Sequence, residues 1–210
     1  MSMRTTTAVV GNDCRPTATA DDFLHAVARP AADTPAAPAY TVTARALHWI
    51  TAVLILFMIP TGFMAANEWG GSLQDSLYDL HKSIGALLIP IVALRLIYRC
   101  VHRPLPLPDD IPPMQRLAAE ATHWALYALL VLQPLIGWTA TSAYPAPVPF
   151  FGGITLPPIW FADRALSDQL FSIHRLIGIA IACLVAAHIA GALYHHFVRK
   201  DRVLLRIIAG

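Results

Sequence analysis

The chain has 210 residues, 56% of them hydrophobic and only 13% charged, with a mean hydropathy of +0.54 and a formal net charge of +2. Soluble domains carry about 25% charged residues, so an ordinary cytosolic domain is excluded, as is disorder over the whole length. So small a net charge gives no electrostatic case for a nucleic-acid partner. Cys14, Cys100 and Cys183 are scattered, which excludes a disulfide framework, a cysteine zinc site and covalent CxxCH haem attachment.

Residues 1–42 are rich in Ala, Thr, Pro and Asp and carry little periodicity; we expect a disordered cytoplasmic tail, with one or two helical turns over Asp21 to Arg29. Met1 to Gly11 has one Arg and no apolar run, so it is not a secretory signal and the first membrane segment is expected to be retained. Residues 43–207 form the second domain. Four apolar segments follow one another there, at about 46–66, 80–99, 121–144 and 172–198, each near the ~20 residues that span hydrocarbon as a helix. Pro60, Pro90 and Pro134 fall inside the first three and should kink them. The connection from Pro145 to Phe171 is rich in Pro, Gly and aromatic residues and should pack on the membrane surface.

Basic residues set the orientation. Arg4, Arg15, Arg29 and Arg45 precede the first span. Arg95, Arg99, Arg103 and Arg116 surround the second connection, and Arg199, Lys200, Arg202 and Arg206 follow the last span. With four spans these regions share one side. The other side has only Lys82, Arg164 and Arg175. Both termini are therefore expected in the cytoplasm. The fold class that follows is an all-α integral membrane protein, a four-helix transmembrane bundle.

Nine histidines stand in a chain that otherwise avoids polar groups. Ionisable residues in membrane spans default to a functional reading and face the bundle interior. His174 and His188 are fourteen residues apart in the fourth span, about 21 Å along the axis and almost four turns, so they share one face at two depths. His48 opens the first span from the cytoplasmic side, and His81 opens the second from the outer side. His48 can meet His188 at one level, and His81 can meet His174 at the other. Two imidazoles on facing helices suit a haem with two axial nitrogens, whereas zinc needs four ligands at one level. Two non-covalent b haems, stacked between the helices, fit this pattern: His48 and His188 as ligands on the cytoplasmic side, His81 and His174 on the periplasmic side.

A repeat marks the outer pair. Leu80-His81-Lys82-Ser83-Ile84-Gly85 parallels Ile173-His174-Arg175-Leu176-Ile177-Gly178. In each, a base follows the histidine and a glycine lies one turn on, which leaves room for a flat ring beside the backbone. Lys82 and Arg175 are candidates to pair with haem propionates. His123 is read as interfacial or as a propionate contact. His195, seven residues beyond His188, is the rival axial ligand, and His196 is read as interfacial. His25 and His102 are read as solvent residues, and the tryptophans mainly as an aromatic belt.

These residues resemble the bacterial cytochrome b561 family over about Thr43 to Ile207. The resemblance is carried by Ala46-Leu47-His48-Trp49, Leu80-His81-Lys82, Gln133-Pro134-Leu135-Ile136-Gly137, Phe151-Gly152-Gly153-Ile154-Thr155-Leu156-Pro157, Ile173-His174, Ala187-His188 and Tyr194-His195-His196. It implies a four-helix bundle with two b haems on His48, His81, His174 and His188, in the bacterial inner membrane. It also implies electron transfer between a periplasmic donor and the quinone pool, ubiquinone or another quinone. Some members of the family oxidise superoxide; the leading reading is therefore an oxidoreductase of the superoxide:quinone kind, with Lys82 and Arg175 steering the anion. The alternative is a membrane anchor and electron relay for a separate dehydrogenase, hydrogenase or periplasmic redox protein. A non-redox metal transporter using paired histidines is the third class; it would show no haem absorbance. For the quinone, Trp138, Thr139 and Ser142, or His123 and Arg116, are alternatives left open.

Overall fold

The computed structural model describes residues 39–67, 70–102, 104–108 and 110–209. The expected tail, apart from residues 39–42, lies outside the described residues, as do the helical turns expected at Asp21 to Arg29. Four long helices organise the rest: α1 (Val42–Ala65), α2 (Ser72–Val101), α3 (Pro113–Ala143) and α4 (Arg164–Tyr194). Each is long and apolar enough to cross a membrane. A two-stranded antiparallel hairpin, β1 (Val148–Phe150) and β2 (Ile154–Leu156), joins α3 to α4, with Val148 opposite Leu156. After α4 the chain widens into a π-turn over His195–Arg199, reverses at Lys200 in the left-handed region, and ends in the short α5 (Leu205–Ile208).

The helix starts follow from local chemistry. The Thr41 hydroxyl accepts from the Ala44 N–H, and the Asp163 carboxylate accepts from the Leu166 N–H, the usual means of satisfying a free first-turn donor. Gly71 precedes α2 with φ of 91°, a conformation glycine adopts without strain. α3 starts on Pro113, whose missing N–H is no loss at a first helical position. The helices extend beyond the apolar segments. α2 and α3 each begin about two turns earlier, through Ser72 to Asp79 and Pro113 to Glu120, and α4 begins at Arg164. Hydropathy marks only the part suited to lipid, and these polar turns project past it. The connection between α3 and α4 is correspondingly shorter than expected, and Phe171 belongs to the helix.

α1 packs on α2, α2 on α3 and α3 on α4, while α1 and α4 meet only slightly. Ile55 of α1, Ile84, Leu88 and Val92 of α2 and Ile181 of α4 form the buried core. The outward faces keep large apolar residues exposed, among them Val53, Leu56, Leu94, Ile97 and Leu176, as lipid-facing surfaces require. Buried hydroxyls bond back into their own helices, Thr51 to the Leu47 carbonyl and Thr141 to the Gly137 carbonyl, so no lone polar group faces hydrocarbon at those points.

The hairpin is clamped to α2. Ser83 is buried; its hydroxyl lies 2.9 Å from the Pro149 carbonyl and accepts from the Phe151 N–H at 3.0 Å. Lys82 Nζ donates to the Pro147 carbonyl at 3.3 Å. At the opposite end the C-terminal segment folds back on α1: Arg45 donates to the Ile208 carbonyl at 2.9 Å and Trp49 to the Ile207 carbonyl at 3.1 Å.

Candidate functional site

The bundle brings the four histidines together in two pairs. His81 of α2 and His174 of α4 have ring centroids 6.2 Å apart, at the hairpin end. His48 of α1 and His188 of α4 have centroids 6.3 Å apart, at the end where the described segment begins and finishes. An imidazole nitrogen lies ~1.2 Å from its ring centre and a metal–imidazole bond is about 2.0–2.1 Å long, so two rings on opposite sides of one metal stand about 6.5 Å apart. Both pairs meet that spacing. His123 of α3 lies closer to His188, at 5.1 Å, which is too short to seat a metal between the two rings in line. The 6.3 Å pair is therefore the one whose spacing would admit a metal ion between its rings.

Bond patterns at the hairpin level favour ligation. His174 Nδ1 lies 3.1 Å from the Gln133 carbonyl, which only accepts. Nδ1 therefore carries the proton and Nε2 keeps its lone pair. The Thr61 hydroxyl proton is directed at the Phe57 and Met58 carbonyls, 3.0 and 3.1 Å away, so its lone pair takes the proton of His81 Nδ1 at 3.3 Å. A ligating histidine holds its other N–H on an acceptor in this way, which fixes tautomer and ring orientation.

The space between these rings is a cavity of about 530 Å³, lined by His81, His174, Lys82, Arg175, Gly85 and Gly178 with apolar residues around them. That is the size of a cofactor cleft. Two further glycines, not singled out from the sequence, shape it. A Cβ on Gly137 would lie 2.9 Å from His174 Cε1, and one on Gly62 would lie 3.1 Å from His81 Cε1. Each ring thus rests on a glycine of the neighbouring helix. Gly85 and Gly178 line the same cavity, but a Cβ there would meet Met58 Cε at 3.6 Å and Gln133 Nε2 at 3.3 Å rather than an imidazole. The donor set, the spacing and the cavity together fit a flat, bis-imidazole-ligated group.

Lys82 is already engaged, bonded to Asp79 at 2.9 Å and lying over the Tyr78 ring. Arg164 pairs with Asp168. Arg175 makes no ion pair among the described residues and lines the cavity. His195 turns to Asp201, with Nδ1 2.6 Å from the carboxylate. Asp201 also receives Arg199 and the Val203 N–H. Burial opposes its charge, but these donors prevail and hold its carboxyl below the usual value. His102 is exposed and stacks on Tyr98; His25 and Trp69 lie outside the described residues.

Sequence reasoning also passed over Arg95, Thr61 and Gln133. The signal for Arg95 was present: an ionisable residue inside a span rather than in its flanking loop. Gln133 and Gly137 stand in one of the motifs quoted above, yet nothing in their spacing says that one would anchor His174 and the other underlie it.

A profile of the prokaryotic cytochrome b561 family matches residues 39–210. Cytochrome b561 homolog 2 of Escherichia coli (strain K12) is 33% identical over 173 residues, covering 80% of this chain and 90% of that protein. The probable superoxide oxidase CybB of Yersinia pestis is 26% identical over 163 residues, 77% of this chain and 91% of that protein. Cytochrome b562 of Cereibacter sphaeroides is 28% identical over 176 residues, covering 81% and 96%.

Proposed function

The chain belongs to the prokaryotic cytochrome b561 family of membrane electron-transfer cytochromes, and we propose that it carries electrons between a periplasmic donor and the quinone pool through two b haems. The observation that carries this reading is the pair of imidazole separations, 6.2 and 6.3 Å. His81 and His174 would hold one haem and His48 and His188 the other, with about 21 Å of helix rise between the two levels on α4. When bound, each haem supplies a one-electron couple. The chain's own residues orient the imidazoles through Thr61 and the Gln133 carbonyl, and exclude water with the core between the levels.

The excess of basic residues on the segments flanking α1, α2, α3 and α4 at one end supports cytoplasmic termini in an inner membrane. The hairpin then lies on the periplasmic side. The similarity to a probable superoxide oxidase favours superoxide as donor. Each superoxide gives up one electron and leaves as dioxygen; a quinone takes two electrons and two protons. Arg175, which no described carboxylate neutralises, is the base best suited to draw the anion in. Lys82, neutralised by Asp79 and bonded to the Pro147 carbonyl, is better suited to holding the hairpin.

Pyridine haemochrome quantitation with a reduced-minus-oxidised spectrum on detergent-purified protein tests the reading. Two b haems per chain are expected, followed by stopped-flow reduction by superoxide and reoxidation by quinone. Absence of haem under adequate haem supply would refute it. Haem reducible only by a co-purifying protein would move the role to an electron relay.

A further inference from the structure

Arg95 lies within α2, and its Nη2 is 2.8 Å from His48 Nδ1. Its guanidinium carbon is 5.4 Å from the Tyr127 ring centroid. Arg99, one turn on, lies over Trp124 and Tyr127 at 5.6 and 5.5 Å. Neither makes an ion pair with a carboxylate among the described residues. A guanidinium stays charged and offers five donors, of which one ring nitrogen takes a single one. Placing such a charge inside a membrane span is costly unless a counter-charge is at hand. Aromatic faces return only part of that, about 2 kcal/mol or more when desolvated. Two fixed positive charges thus stand at the His48–His188 level, and the partner they lack is an anion with acceptor oxygens.

A b haem carries two carboxylates on one edge, and a guanidinium fork matches a carboxylate in two parallel bonds. We propose that Arg95 is the positioning residue for a propionate of the group held by His48 and His188, with Arg99 adding its field. This rests on the ligand reading above. The hairpin level is built differently: its histidines meet a hydroxyl and a carbonyl, and Lys82 is paired to Asp79. A guanidinium only donates, so His48 Nδ1 accepts from Arg95 and the ring proton sits on Nε2; ligation through Nε2 moves that proton to Nδ1 and releases the guanidinium to the propionate. The positive charge of Arg95 stabilises the reduced state and raises the potential at this level.

The test is a cycle between Arg95 and the propionates, read as the rate of haem loss from the full chain to an excess of apomyoglobin. R95Q should speed loss of one of the two haems about tenfold or more, the size of a charge-assisted bond, and lower its midpoint, with the second haem unchanged. R95K should restore most of the midpoint but not the retention. The unaltered chain loaded with haem dimethyl ester should lose that haem as fast as R95Q does, and R95Q should add nothing to the ester. Equal loss rates for haem and ester in the unaltered chain, or full additivity of R95Q with the ester, would overturn the assignment. Should R95Q bind no haem, the ester comparison on the unaltered chain decides alone. H48A serves as the separate control. If it loses one haem while the cycle shows no coupling, only the Arg95 assignment fails; if it keeps both, the ligand reading fails and takes this inference with it.

Discussion

Replacing Gly137 by alanine should dislodge the haem proposed at the hairpin level, because the added methyl has nowhere to go but into His174. It would lie 2.9 Å from Cε1 and 3.1 Å from Nδ1. Carbon atoms rest at about 3.5–4.0 Å, so the ring must retreat by at least ~0.6 Å, whereas metal–ligand distances tolerate about 0.2 Å. The ring is also held by the Gln133 carbonyl at 3.1 Å, so retreat weakens that bond. Overpacking of this kind costs about 1–3 kcal/mol. Alanine in place of glycine in a helix interior returns about 1 kcal/mol. The remainder, up to about 2 kcal/mol, corresponds to as much as a thirtyfold loss in the bound-to-free ratio. Gly85→Ala separates ring displacement from loss of room in the cavity. Its methyl meets Met58 Cε at an ordinary 3.6 Å and no imidazole, so it should gain helix stability and leave the His174–Gln133 bond in place. Pyridine haemochrome content per chain, with thermal unfolding followed by helical circular dichroism, reads both effects. If G137A keeps two haems at the wild-type loss rate, the cradle argument is wrong.

Other outcomes follow from the same geometry. H188A should lose one b haem, whereas H123A should keep both, because the 5.1 Å ring separation of His123 from His188 cannot seat an iron in line; haem counts per chain distinguish them. R175Q should lower the second-order rate with superoxide and flatten its salt dependence, while K82Q changes it less, since Asp79 already neutralises Lys82; stopped-flow at two ionic strengths reads this, and equal effects would refute the distinction. Asp201 is held below its ordinary value of 3.8, so the stability its charge contributes is present above that value and is lost as pH falls through the lower folded value. D201N should therefore loosen the C-terminal segment already at neutral pH, seen as faster deuterium uptake over residues 201–209; uptake equal to the parent chain would mean the carboxylate does not hold it.

How much was legible without coordinates depended on whether a feature is periodic along one helix or arises between two. Spans are a property of composition in a window, so four of them appear from hydropathy alone. Their polar first turns, Ser72 to Asp79 and Pro113 to Glu120, do not, because a window tuned to lipid is blind to helix that projects beyond it. The shared face of His174 and His188 is a matter of 3.6 residues per turn on a single element. The family, too, is written in short contiguous motifs. Glycines show the opposite case. The repeated Gly85 and Gly178 are marked by the pattern as clearance for a flat group, and both line the cavity; nothing in the pattern marks Gly62 and Gly137 as the residues the imidazoles rest on. Which glycine lies beneath a ring is set by the rotation and crossing of a different helix.

The sequence by itself thus determined that this is a four-span membrane protein with histidines facing inward at two depths, because each of those facts follows from composition and helical period within one segment. Tertiary structure alone decided that the His48 ring stands 6.3 Å from that of His188 and the His123 ring 5.1 Å from it. It also decided that His195 turns away to Asp201, and that Arg95 reaches His48 with no described carboxylate to answer it. Those are contacts between side chains far apart in the chain, and their distances depend on how helices rotate and pack, to within an ångström that no one-dimensional pattern carries.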